Sequence, residues 1–235
     1  MSSGEGERGQ RGRLDPDRIV DATLLLARDP DPAALSFRAL GRHLGADPTA
    51  VYRHFRDKNA LIEAALDRLL EDVAASVPPG LPWRERLRAA ATAYFDVIVR
   101  HPGVGVQAGH LTTGGGGEQE VLEFILAALD EAGLSGRMLV RYYALLAAFA
   151  ASMASAQAAS LQHDEQRLPA QVKPWVHTSG AHNAARYPLV AALADEIAEL
   201  QTEAVFRSGL ELLLDAIEDA GARAAAGAAA DGSGA

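Results

Sequence analysis

Within four residues, Gly45-Ala46-Asp47-Pro48, this chain places a helix stop directly before a helix start. Glycine takes the left-handed position just past a helix end without a Cβ clash. The aspartate can accept from the orphan N–H groups of a new first turn, and proline suits the first helical position because its missing N–H has no partner there anyway. Upstream, Ser36 is a second cap, and Leu40 and Leu44 repeat at i, i+4, so a helix is predicted over 36–44. Downstream, Val51 and Phe55 form the buried face of a helix predicted over 48–55, which leaves Thr49, Ala50, Arg53 and His54 mostly on the other faces. Asp57 caps a third helix, with Lys58 in its first turn. A two-turn helix is too short to stand alone, so the second must dock on the first. The result is a helix-turn-helix.

The second helix exposes a hydroxyl, a methyl, a guanidinium and an imidazole. Small residues allow close approach to a major groove, and Arg53 can pair bidentately with a guanine edge. Tyr52, His54 and Lys58 can reach phosphates and set the register. These same residues carry a resemblance. Leu44-Gly45-Ala46-Asp47, Val51-Tyr52-Arg53-His54-Phe55 and Lys58-Asn59-Ala60-Leu61 resemble the DNA-binding domain of the TetR family of bacterial transcriptional regulators. The resemblance implies a three-helix DNA-binding head, a helical effector-binding body and a homodimer. It carries DNA contact over to Ser36, Arg38, Thr49, Ala50, Tyr52, Arg53, His54 and Lys58. Two positions depart from or vary within the family pattern: Arg53, before the histidine, is at a variable position suited to tuning the operator sequence, and Asp29-Pro30-Asp31-Pro32 stands where a glycine turn is usual.

Around this stretch the chain reads as all-α, because apolar spacing is 3–4 throughout and β-branched residues are sparse. Residues 1–14 form a polar Gly/Ser/Glu/Arg arm, expected to be disordered, whose Arg8, Arg11 and Arg13 can either reach a minor groove or stay solvated. The head occupies 15–60, beginning with a helix capped by Asp15-Pro16 that buries Ile19, Ala22 and Leu26. Residues 61–221 are the helical effector-binding and dimerisation body, and 222–235 an Ala/Gly tail expected to fray. Helices are predicted over 58–77, 83–101, 118–132, 136–162, 189–200 and 204–220. Leu111 to Gly117 reads as a flexible connector: it lacks the Gly-Lys-Ser/Thr ending of a phosphate loop, and no strand precedes it. Residues 163–186 read as a long polar loop.

The charge is unevenly spread. Residues 1–60 hold 10 Lys/Arg and 9 Asp/Glu, a net +1, so the rest of the chain carries −10 of the overall −9 balance. An acidic chain can still show DNA a basic face if the head's acids cap helices elsewhere. There is no cysteine, which excludes disulfide and thiolate chemistry and agrees with a reducing cytoplasm. No apolar run reaches the roughly 18 residues of a spanning helix, so no membrane partner is expected.

Candidate effector contacts in the body are Tyr94, His101, His110, Phe124, Tyr142, Phe149 and Gln157. The large side chains among them can equally be ordinary core, and a cavity between helices would use the same residues. His101 ends a helix, where the dipole favours a cation. His177 and His182 have loop spacing and no cysteine beside them, so no metal or other cofactor is expected. Small-residue faces (Ala147, Ala151 and Ala154 on one helix, Gly209 on another) suit either a four-helix dimer interface or packing inside one subunit. The leading expectation is a ligand-responsive repressor, binding a pseudo-palindromic double-stranded DNA operator as a homodimer and released by a small-molecule effector. The alternative is a helical small-molecule-binding protein or enzyme whose head does not read DNA. No catalytic constellation stands out.

Overall fold

A computed structural model describes residues 14–162 and 185–232, and among them every regular element is a helix. The head comprises α1 (Pro16–Leu26), α2 (Phe37–Leu44), α3 (Pro48–Tyr52) and the start of α4 (Lys58–Ser76). The body continues with α5 (Trp83–Arg100), the single turn α6 (Pro102–Gly105), α7 (Gly116–Glu131), α8 (Gly136–Leu161), α9 (Pro188–Ala192), α10 (Ala194–Glu199) and α11 (Thr202–Gly232). The arm before residue 14, most of the 163–186 loop with His177 and His182, and residues 233–235 lie outside the described residues.

Each head helix starts where its cap residue stands. Asp15 accepts from the Arg18 N–H at 2.9 Å, Ser36 from Ala39 at 3.2 Å and Asp57 from Ala60 at 2.8 Å. Asp47 takes both the N–H and the hydroxyl of Thr49, at 2.8 and 2.6 Å. Gly45 sits at φ 64°, and the next N–H, of Ala46, donates back to the Gly41 carbonyl at 2.9 Å, which closes α2. Leu40 and Val51 are fully buried and Phe55 nearly so, which docks α3 on α2. Gly41 makes that approach possible, because a Cβ there would stand 2.9 Å from the Ala46 carbonyl oxygen and 3.1 Å from the Pro48 nitrogen.

Three boundaries differ from expectation. The second helix of the motif ends at Tyr52 rather than Phe55; Arg53 caps it, and the following residues turn sharply towards Asp57. One predicted helix over 189–200 is two short ones, α9 and α10, parted at Leu193. The last helix does not stop near residue 220 but runs to Gly232, so the tail that was expected to be disordered is helical through that residue. Alanine is the best helix former, which explains how so low-complexity a stretch extends a helix already nucleated by packing.

The core is continuous from head to body. Ile19, Leu61 and Ile62 bind α1 to α4; Leu87, Ile98, Leu129, Phe206 and Leu210 fill the centre of the body, all essentially buried. Phe206 stacks on Phe95 at 4.3 Å and on Phe149 at 5.8 Å. By length and composition α8 is apolar enough to cross a membrane. It packs against α5, α6, α7 and α11, which buries about a third of that apolar stretch, and Val140 and Leu145 remain exposed.

Candidate DNA-docking face and body cavity

Of the eight predicted DNA contacts, Arg38 lies on α2, Thr49, Ala50 and Tyr52 on α3 and Lys58 at the start of α4, while Ser36 caps α2 and Arg53 and His54 follow the end of α3. Arg38, Thr49, Tyr52, Arg53, His54 and Lys58 are exposed, while Ser36 and Ala50 are half-buried. Ser36 spends its hydroxyl on the cap of α2, and the Thr49 hydroxyl donates to Asp47. Asp47 is held below the usual carboxylate range chiefly by that Thr49 hydroxyl, then by the Thr49 N–H. Tyr52 is 57% exposed yet oriented, because its ring meets Phe37 edge-on at 4.3 Å. That contact aims the phenol away from the core. An exposed face with three cations, an imidazole and an oriented phenol can dock on phosphates and base edges together.

Beside the continuous core, polar contacts join head and body at two places. Gly103 N–H donates to the Ala27 carbonyl at 2.9 Å, so α6 abuts the end of α1. Beside it His101 is buried, not in a cavity. Arg28 Nε, which can only donate, lies 3.4 Å from His101 Nε2, so that nitrogen accepts and Nδ1 carries the proton, donating to the Val97 carbonyl at 2.8 Å. Burial, and then the neighbouring Arg28 and Arg100 charges, outweigh the Val97 bond and push the His101 pKa down. The cation expected at this helix end is therefore a neutral imidazole. The second junction is Arg68 on α4, which reaches Asp17 and Asp21 of α1 at 2.8 and 3.1 Å.

Between α4, α5, α7 and α8 lies a cavity of about 170 Å³. Leu66, Leu70, Leu87, Val121, Ile125 and Leu146 give it apolar walls. Its polar groups are Tyr94, Tyr143, Thr113 and Glu118, and among the described residues no lysine, arginine or histidine lines it. Burial raises the Tyr94 phenol to about 12, which keeps it a neutral hydrogen-bonding group. Tyr143 is shifted in the same direction, by burial and then by the Glu118 charge.

Of the seven predicted effector contacts the cavity takes only Tyr94. His110 is exposed, Gln157 is half-buried outside the lining, and Tyr142 packs against the core. Phe124 is half-buried against the core, outside the cavity lining, with the Arg86 guanidinium over its ring at 5.9 Å. Phe149 sits over Gly209, where any Cβ would collide with its ring. The small-residue faces follow suit: Gly209 serves packing inside one subunit, Ala154 is buried, and Ala147 and Ala151 line the cavity.

Sequence reasoning missed Thr113 and Glu118, and it named Tyr143 only among the large side chains a cavity would use. Thr113 lay in the stretch read as a flexible connector, yet that stretch is tightly held. The N–H groups of Thr113 and Gly114 donate to Glu118 Oε2 at 2.6 and 2.7 Å. A signal was present: a glycine run immediately before an acid in a first helical turn marks a backbone that something approaches closely.

Known proteins agree with this geometry in kind. Residues 19–65 match the family described as bacterial regulatory proteins, tetR family, and residues 78–220 match the tetracyclin repressor-like C-terminal domain. The tetracycline repressor protein class A from transposon 1721 of Escherichia coli is 26% identical over 214 residues, or 87% of this chain and 91% of that protein. The HTH-type transcriptional repressor Rv1353c of Mycobacterium tuberculosis is 34% identical over 101 residues, 42% of this chain, and this match spans only 39% of that relative's length. A structural-genomics structure from Streptomyces coelicolor A3(2), described as a transcriptional regulator, superimposes with a TM-score of 0.73 at 28% identity, covering 89% of this chain and 99% of that one. ActR of Streptomyces coelicolor, solved in complex with actinorhodin, shares the fold with a TM-score of 0.71 at 21% identity, covering 89% and 99%.

Proposed function

This chain belongs to the TetR family of bacterial transcriptional regulators, and from that premise we propose that it is a ligand-responsive repressor acting on DNA in the cytoplasm, not an enzyme. The observation that carries the reading is the pairing of an outward, cap-fixed α2–α3 face with an apolar cavity against the same α4 helix that leads out of the head. In this reading Arg53 reads a base edge from the end of α3, while Arg38, Thr49, Ala50, Tyr52, His54 and Lys58 set distance and register on the backbone, with Ser36 shaping α2 beside them.

The operator is double-stranded and pseudo-palindromic, and the protein meets it as a homodimer with recognition helices roughly 34 Å apart, one turn of DNA. The outer faces of α8 and α11 support such a dimer. Ala144, Leu145 and Ala148 are exposed along α8, and Ala204 and Leu212, the latter 70% exposed, along α11. Apolar stripes on two packed helices give the four-helix interface its self-complementary half.

The effector occupies the cavity between α4, α5, α7 and α8. Walls of leucine, isoleucine and valine with a carboxylate at one end select a mostly hydrocarbon molecule that is neutral or cationic, and repel an anion. Binding favours the arrangement in which the two heads no longer fit both half-sites, and it shifts the population only by its differential affinity for that state.

Selection from a random duplex library at moderate salt tests the reading. Recovery of an inverted repeat with half-sites about one turn apart is expected. Retention of no duplex above background would move the function to the body alone, the small-molecule-binding alternative.

A further inference from the structure

The polar end of the cavity is built around a residue that does not line it. Asp67 of α4 faces the start of α7, and its carboxylate replaces the missing local cap there: it accepts the Glu118 N–H on Oδ1 at 3.0 Å and the Gly117 N–H on Oδ2 at 3.2 Å. The Thr113 hydroxyl lies 2.6 Å from Asp67 Oδ1 and 3.0 Å from Glu118 Oε2, so a single proton serves two carboxylates, and Gly115 N–H donates to its oxygen at 3.1 Å. Burial works to raise the Asp67 pKa, but the Thr113, Glu118 and Gly117 bonds outweigh it and hold the group ionised. Glycine is required for the approach. A Cβ on Gly115 would collide with the Asp67 carboxylate, and one on Gly117 with the α4 backbone, whereas at Gly116 nothing lies within 4 Å.

The next residue along α4 faces the other way. Arg68 grips α1 through Asp17 and Asp21. Neighbouring positions on one helix therefore hold the cavity rim and the head, and Thr113 and Glu118 belong both to the cavity lining and to the Asp67 network.

We propose that Asp67 is the positioning residue that couples the cavity to the head, a latch that holds α4 in its DNA-competent place while Thr113 donates to it and that opens when a ligand acceptor takes the Thr113 proton. This rests on the reading of the cavity as effector site and of α2–α3 as the docking face. An acceptor on the ligand at Thr113 takes the shared proton from Asp67, whereas a donor at Glu118 leaves that proton to Asp67 and tightens the contact. Loss of the Thr113 bond leaves the Gly117 and Glu118 N–H groups as the remaining hold of Asp67 on α7.

The test needs no effector. Full-length wild type, Asp67→Asn, Gly115→Ala and Gly116→Ala are compared on the selected operator and on versions with half-sites moved one base pair apart or together. Asp67→Asn turns one acceptor into a donor facing N–H groups; Gly115→Ala breaks the same contact from the other side. Both are expected to reduce discrimination between native and altered spacing at least fivefold, with affinity for an isolated half-site within twofold of wild type, while Gly116→Ala keeps wild-type discrimination. Spacing discrimination unchanged in both Asp67→Asn and Gly115→Ala overturns the latch and leaves the DNA reading standing. If the wild type binds no duplex, that reading fails by itself, and amide hydrogen exchange decides the latch. Exchange at least fivefold faster over 61–66 of α4 in both variants, and not in Gly116→Ala, supports it; unchanged exchange there overturns it.

Discussion

Head and body are built on opposite principles. In the head, helices of 11, 8 and 5 residues are placed by their ends: each begins at a side-chain cap, α2 stops at a left-handed glycine, and the outward faces stay polar. In the body, α5, α7 and α8 begin without a side-chain cap bond of their own and run 18, 16 and 26 residues, placed by the faces they bury. Short helices gain too little from propagation to exist without caps and docking, whereas long ones draw their stability from tertiary packing. The difference suits the roles. A docking face needs local geometry that survives outside the core; a cavity needs walls that only distant parts of the chain can assemble.

The strongest blow to that contrast falls in the body. Phe206→Ala removes a ring stacked between Phe95 and Phe149 and 1% exposed, and should cost about 3–5 kcal/mol by urea denaturation. If the head were independent of the body, its DNA affinity per folded molecule would be unaffected.

In the head a comparable perturbation is a single methyl. Gly41→Ala places a Cβ against the Ala46 carbonyl and Pro48, both backbone-bound and unable to yield, with an expected loss of about 1–3 kcal/mol. The same variant should lose operator affinity out of proportion to its unfolding midpoint, because α3 is re-aimed; proportionate losses would show that the turn is only a connector.

Surface substitutions sharpen the contrast further. Arg53→Ala should cost about 1–3 kcal/mol of operator binding and relax preference at one base pair, with stability unchanged. Lys58→Ala should weaken binding to every duplex and reduce the salt slope by about 1. If both variants bound all duplexes as the wild type does, the docking face would lie elsewhere.

The smallest effect probes the junction. The native pKa of His101 lies below its ordinary 6.5, first because of burial, so the unfolded chain takes up the proton before the folded one as pH falls. Stability from this group is complete above 6.5 and declines as pH drops through the window down to the native value. Urea midpoints at pH 7.5 and 5.5 should therefore fall farther apart in the wild type than in His101→Gln. Equal differences would mean that the buried imidazole titrates as it does in water.

Legibility followed the same division. Ser36, Gly45, Asp47 and Asp57 each announced a helix end, and the structure uses every one as a cap. The end of α3 was overrun by three residues because Val51 and Phe55 are both buried, and burial pattern alone does not distinguish a helix from the turn that follows it. In the body the aromatic residues were visible but their directions were not. Phe149 went to Gly209, Phe124 to Arg86 and His101 to Arg28, and each choice depends on a partner 38–73 positions away.

The sequence by itself determined the helical class, the turn of the DNA-binding motif and the residues that motif exposes, because caps, left-handed glycine and 3–4 spacing act over a few residues. Only the tertiary structure decided which side chains meet across the cavity and that Asp67 would close the start of α7, 46–51 residues further along the chain. Such contacts are satisfied by whichever helices pack together, and the energy that selects the packing is spread over the whole buried core rather than written in any one segment.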